Sequence, residues 1–191
     1  MNFITSIKDL DTELFLFFNS KHTASLDFIM YWASNKLVWI PLYIYFFFLV
    51  YKKANSRVWL VLISALMLIA ISDQLSVHAF KDVFQRYRPC HNLLLQNQIH
   101  MNEPCGGMYG FISSHASNTF ALAMFLFLFF RNEKKYFGIF IFLWAAFVSY
   151  SRIYNGNHYP ADVAVGALVG MCVGILIFRT YKLTERKIFV S

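Results

Sequence analysis

Apolar residues at Phe3, Ile7, Leu10, Leu14 and Phe17 recur at alternating steps of four and three, with Lys8, Asp9, Asp11 and Glu13 between them. That period gathers the apolar side chains on one face of a helix and the charges on the other, as in a helix lying on a bilayer surface. Beyond it the pattern turns almost wholly apolar, in runs from Phe28 to Val50, Val58 to Phe80, Ser113 to Phe130, Tyr136 to Tyr150 and Ala161 to about Tyr181. The run from Ser113 to Phe130 rises about 27 Å as a helix, close to the depth of a hydrocarbon core. Asn35, Lys36 and Pro41 interrupt the first run and make its outer end the weakest boundary. The pattern predicts an all-α, polytopic membrane bundle of about five transmembrane helices with an N-terminal interfacial helix. Five crossings put the termini on opposite sides.

Composition agrees. Of 191 residues, 58% are hydrophobic and only 14% charged, which excludes an ordinary soluble domain. Nothing reads as a linker or an internal repeat, so residues 1–191 are expected to form a single domain. The start has no basic, apolar and small-residue sequence of a secretory signal, and the chain is taken as mature from Met1. Lys52, Lys53, Arg57, Arg131, Lys134, Lys135, Arg179, Lys182, Arg186 and Lys187 fall on one side of the expected bundle. Short loops rich in such residues stay cytoplasmic, so residues 81–113 and the opening stretch face outward, into the periplasm of a bacterial inner membrane.

The outer ends of the spans carry the candidate chemistry. Lys81, Arg88 and Arg152 could together surround an anion, and guanidinium forks suit phosphate oxygens. Three positive charges could neutralise a phosphoryl group without a metal, so no cofactor is expected. Ser113 and Ser114 precede the third run, where a serine cap leaves backbone N–H groups free to bind an anion, with His115 beside them. Pro160 suits the first position of the fifth helix, which places Asp162 in its first turn and His158 just before it. A carboxylate there can hold one ring nitrogen of His158 and free the other to attack phosphorus, while His115 protonates the departing oxygen and later assists water.

These residues resemble the signature of the type-2 phosphatidic acid phosphatase superfamily, which also contains vanadium-dependent haloperoxidases. Lys81, Arg88 and Pro89 match its first part, and Ser151, Arg152, His158 and Asp162 match its third with the spacing intact. The middle part departs: Ile112 and Ser114 stand where the family has Pro and Gly, with Ser113 and His115 retained. The resemblance implies a metal-independent lipid phosphatase acting through a phosphohistidine. His158, His115 and Asp162 would be catalytic, and Lys81, Arg88, Ser113, Ser114 and Arg152 would bind phosphate. Substrates of similar bacterial members include undecaprenyl pyrophosphate, phosphatidylglycerophosphate and lipid A phosphates. Undecaprenyl pyrophosphate is placed first, because the site faces outward and a small chain suits general recycling. The competing class is a transporter or lipid-binding protein whose cations only hold a headgroup. The partners expected are the bilayer and a membrane lipid phosphate, with no nucleic acid; the sequence does not fix the oligomeric state.

The remaining polar residues are read more plainly. Arg86 is taken as a snorkelling cation, since the signature does not require it. Asp73, inside the second span, is expected to partner a cation on another helix rather than only a packing hydrogen bond. Gly166, Gly170 and Gly174 form a stripe, in line with Asp162, that admits a close helix neighbour or a second copy. Cys90 and Cys105 could form a disulfide closing the outer loop, a reading preferred over a zinc site with His91 and His100; Cys172, in the fifth span, is expected to be an inert packed thiol.

Overall fold

The structure, a computed structural model, describes residues 3–133 and 136–189, with side chains from Ser6 onward. Met1, the side chain of Phe3, and Lys134 and Lys135 lie outside the described residues.

Helix α1 (Phe3–Asn19) keeps the expected apolar face of Ile7, Leu10, Leu14 and Phe17 exposed, where bilayer would cover it. Its other face corrects the sequence reading. Asp11, grouped there with the solvated charges, is buried with Phe15 and Asn19 at four-residue steps, and α1 packs on the bundle through them. The run from Phe28 to Val50 is not one helix. Helix α2 (Ala24–Ser34) ends at Asn35, whose side chain accepts the Leu37 N–H and starts a 3-10 turn, Lys36–Trp39, before α3 (Ile40–Ala54). An asparagine that bonds the backbone ahead of it competes with continued helix, which an apolar count cannot register.

At Asn55, with φ of +51°, the chain leaves α3, and a short turn leads into α4 (Val58–Gln74). Helix α4 runs on through a π-helical turn, Leu75–Lys81, into the single turn α5 (Asp82–Phe84). Helix α6 (Ser114–Phe130) is capped by Ser113, α7 (Phe137–Tyr154) continues past the expected end at Tyr150, and α8 (Pro160–Phe189) continues past Tyr181. The apolar arms α3, α4, α6, α7 and α8 make a multi-pass helical membrane bundle, with large apolar side chains such as Leu66, Leu143 and Leu176 on its outside.

Helices α6 and α8 form its tightest contact. A Cβ on Gly166 would lie 2.8 Å from the Ser113 carbonyl oxygen, and one on Gly170 only 2.2 Å from that of Ser117. The glycine stripe is therefore occupied within the chain by α6, and this sets the depth at which Ser113 and Asp162 meet: the Ser113 N–H donates to the Asp162 carbonyl at 3.0 Å. At the opposite end, Lys53, Arg57, Arg131, Lys182 and Arg186 gather around a cavity of about 600 Å³.

Gly170→Ala is expected to destabilise the protein by about 2 kcal/mol or more, because the new methyl meets main chain that cannot move independently. Thermal unfolding in detergent measures this, and an unchanged Tm would contradict the packing described.

Candidate active site

The π-helical turn brings the first cation into place. Extra backbone in a helix rotates the residues beyond it, and π turns recur where a side chain must be re-aimed. Here Lys81 donates from Nζ to the Ser114 hydroxyl at 2.7 Å, and Ser114 shares a second hydrogen bond with Ser76 at 2.6 Å. A further hydroxyl pair, Ser72 and Ser117, joins the same helices at 2.7 Å. Asp73 accepts from Asn118 at 3.4 Å, so its hydrogen-bonded neighbour is an amide on α6 and not the cation expected from sequence.

Arg88 lies in the loop after α5. Its main-chain N–H donates to the Met108 carbonyl, and its side chain donates from Nε to the Gly107 carbonyl at 2.6 Å and from Nη1 to His158 Nε2 at 2.8 Å. Cys90 and Cys105 are joined by a disulfide with Cα atoms 6.0 Å apart, closing a loop that ends two residues before Gly107. Both thiols are used in that bond, so no thiolate pair remains for a metal. His91 contacts the Gly106 carbonyl, and His100 lies instead against Asp27 at 2.9 Å.

The third group comes from the junction of α7 and α8. Arg152 sits in the last turn of α7 rather than in a loop, and its carbonyl accepts N–H groups from both Asn157 and His158. This doubled bond fixes His158 relative to Arg152. Pro160 opens α8, and Asp162 Oδ2 reaches back to accept the Tyr159 N–H at 3.0 Å, which locks the first turn.

His158 is thereby enclosed. It is 1% exposed, with Nδ1 3.5 Å from Asp162 Oδ2 and no hydrogen bond to Nδ1. An arginine N–H can only donate, so the Nε2 facing Arg88 is the acceptor and the ring proton belongs on Nδ1, toward Asp162. Burial, followed by the charges of Arg88, Arg152 and Lys81, holds the imidazole well below the usual histidine range. Burial and Arg152 also pull Arg88 down, to about 10, which leaves it charged at neutral pH. His115, on the first turn of α6, lies within electrostatic range of Arg152, His158 and Arg88. The expected residues Lys81, Arg88, Ser113, Ser114, His115, Arg152, His158 and Asp162 thus come from four segments to one end of the bundle.

Three residues were missed in the sequence. Glu103, in the disulfide loop, pairs with Arg152 Nη1 and accepts from Asn157 at 2.8 Å and Ser34 at 2.5 Å. Arg86, read as a surface cation, donates to Asp162 Oδ1 at 2.8 Å and to Asp11 Oδ2 at 2.7 Å. No spacing rule points to Glu103 or Asp11, but the side-by-side Arg86 and Arg88 were visible.

The arrangement can hold a tetrahedral anion among three cations, with an unprotonated imidazole nitrogen at its edge. An apolar groove of about 580 Å³ begins beside it, with His115, Ser34 and Lys36 at its polar end and Tyr43, Phe47, Leu62, Leu66 and Leu122 along it.

Comparison with known proteins gives the same outline. Residues 59–186 match the sequence profile of the PAP2 superfamily. A lipid A 4'-phosphatase of Bacteroides thetaiotaomicron is 37% identical over 96% of this chain and 82% of its own. An undecaprenyl-diphosphatase of Sulfolobus acidocaldarius is 28% identical over 87% of this chain and 76% of its own. Among solved structures, LpxE of Aquifex aeolicus superposes with a TM-score of 0.65 at 24% identity, covering 89% of this chain and 95% of that one, and so shares the fold.

Glu103→Ala leaves Arg152 nearly buried without its counter-charge and is expected to cost about 3 kcal/mol of stability. Millimolar inorganic phosphate should raise the Tm of this variant more than that of the unaltered protein. Equal responses would mean that an added anion does not take the place of the Glu103 carboxylate.

Proposed function

The chain belongs to the PAP2 superfamily, and from that premise we propose that it is the phosphatase of a lipid A phosphate, acting at the periplasmic face of a bacterial inner membrane. The observation that carries the reading is the junction of two environments: His115, one of the site residues, and Ser34, which accepts from Arg152 at 2.6 Å, both line the polar end of an apolar groove. A soluble phosphate ester would have no use for that groove, whereas an acylated substrate presents both parts at once. Among the lipids considered from sequence, lipid A phosphate moves ahead of undecaprenyl pyrophosphate. The 37% identity to a lipid A 4'-phosphatase extends over nearly the whole chain. The undecaprenyl-diphosphatase match supports that diphosphate as the second reading. The outward orientation rests on the basic cluster at the opposite end of the bundle, which the positive-inside rule assigns to the cytoplasm.

In the proposed chemistry, Lys81, Arg88 and Arg152 take the non-bridging phosphoryl oxygens, with Ser113 and Ser114 at the start of α6 adding hydrogen bonds. Arg88 transfers its N–H from His158 Nε2 to a phosphoryl oxygen, which releases the nitrogen lone pair. Nε2 then forms a bond to phosphorus as the bond to the bridging oxygen breaks, and His115, protonated once the phosphoryl anion offsets the surrounding cations, gives that oxygen its proton and is left neutral. Asp162 stabilises the positive charge that appears on the His158 ring. Water, deprotonated by His115, attacks the phosphohistidine and restores the free imidazole as inorganic phosphate departs. The cations supply the charge stabilisation that a metal provides in other phosphatases.

Purified protein in detergent, with a chelator present, is expected to release phosphate from lipid A faster than from undecaprenyl diphosphate, and His158→Ala to abolish the release. Faster release from the diphosphate would select the second reading, and equal release by His158→Ala would remove the enzymatic role of that residue.

The protonation of His158 provides a separate check. His158 must be neutral to attack, and its lowered pKa keeps it neutral as pH falls through the ordinary histidine value of about 6.5. Nitrogen NMR of the histidine rings, with His158→Ala assigning the signal, should therefore show a neutral His158 ring below that value. Protonation of that ring at the ordinary value would contradict the enclosure of His158.

A further inference from the structure

Arg86 lies where a snorkelling cation has no reason to be. One guanidinium nitrogen donates to Asp162 Oδ1 at 2.8 Å and another to Asp11 Oδ2 at 2.7 Å, while the plane sits 4.0 Å over the Tyr159 ring. Asp162 is fully buried, Asp11 is 6% exposed and Tyr159 is 3% exposed. Asp11 uses its second oxygen to accept the Ala161 N–H, at 2.8 Å, in the first turn of α8. The N-terminal helix, the loop after α5 and the start of α8 are thus tied at one guanidinium. We propose that Arg86, anchored by Asp11, is a positioning residue: it keeps the Asp162 carboxylate ionised and turned toward His158.

The charges around Asp162 support this division of labour. From the preceding loop it faces His158 Nδ1 and the Tyr159 N–H and ring, and from the loop after α5 it faces Arg86 and Arg88. Asp11 enters from α1, and a Cβ on Gly110 would stand 3.2 Å from Oδ2, so no water layer separates that side. Arg88 is committed to His158 Nε2 and to phosphate in the proposed chemistry, leaving Arg86 as the cation in direct contact with the carboxylate. A carboxylate fully removed from water takes a proton unless a positive charge faces it. Neutral Asp162 could no longer stabilise the charge that forms on His158. Asp11 in turn keeps Arg86 from swinging into the phosphate site, where it would compete with Arg88.

The inference rests on the reading of His158 and Asp162 as the attacking pair, and two readouts keep the two claims apart. The first is the pH dependence of phosphate release from lipid A. The second is the pH dependence of orthovanadate binding, which reports on the site with no lipid present because vanadate imitates the five-coordinate transition state. Arg86→Gln is expected to lower kcat by roughly 10–100-fold with KM within about twofold. It should also move the acidic limb upward by about one pH unit in both readouts, since Asp162 then accepts a proton more readily. Arg86→Lys keeps the charge and should recover most of the loss. Asp11→Asn loosens the anchor of Arg86 and should shift the limb upward in both readouts, by less than Arg86→Gln does, which a purely structural role would not produce.

A folded Arg86→Gln protein whose limb coincides with that of the unaltered protein in the vanadate titration overturns the inference. If that variant cannot be recovered folded, Asp11→Asn decides: an unmoved or lowered limb overturns it equally. Unaltered protein that binds vanadate but releases phosphate from no lipid overturns the substrate reading alone.

Discussion

Lys81, Arg88 and Arg152 are held together at one end of an apolar bundle, where their mutual repulsion is weakly screened, and much of the local structure serves to offset it. Each cation has its own partner within the fold. Lys81 has the Ser114 hydroxyl, Arg88 has the Gly107 carbonyl and His158 Nε2, and Arg152 has Glu103. Such a site is assembled before substrate arrives, since folding supplies the energy of bringing like charges together. A phosphoryl group entering it exchanges partners with groups already in position. Burial, joined by the same field that favours the anion, keeps the imidazole neutral, so the three cations contribute to both phosphate affinity and nucleophile readiness.

The scaffold reaches this state through close main-chain packing. Glycines on α8 let α6 approach until the Ser113 N–H meets the Asp162 carbonyl, which joins the serine cap to the helix bearing the carboxylate. Hydroxyl pairs between α4 with its π turn and α6 hold the face that carries Lys81. The doubled bond to the Arg152 carbonyl makes the short link between α7 and α8 rigid enough to bury His158. Helix α1, an interfacial element by its apolar face, is coupled to the site through Asp11.

The features legible in the sequence are the local ones. The spans are long apolar runs, the cap at Ser113 and the first turn at Pro160 are short-range signals, and the His158 to Asp162 spacing is one helical turn beside a cap. Asn35 was legible as an interruption of the first run, but not that its side chain ends α2 there, because competition for a backbone N–H leaves no trace in an apolar count. Glu103 and Asp11 were hidden for a different reason: their partners, Arg152 and Arg86, lie 49 and 75 residues away. Arg86 was misread because a cation at a helix end has the same local pattern whether it meets lipid headgroups or a buried carboxylate. Asp73 was assigned a cation on another helix where the fold offered the Asn118 amide of α6, since which side chain of a neighbouring helix faces it is set by packing and not by local pattern.

The central claim is that His158 forms a covalent bond to the transferred phosphorus. Rapid acid-free quenching of the protein during turnover of lipid A, followed by mass spectrometry under alkaline conditions that preserve phosphohistidine, tests it most directly. The account predicts a phosphoryl adduct on His158, bonded through Nε2, that appears before free phosphate and decays as phosphate is released. Sustained phosphate release with no adduct on His158 at any time point would contradict it.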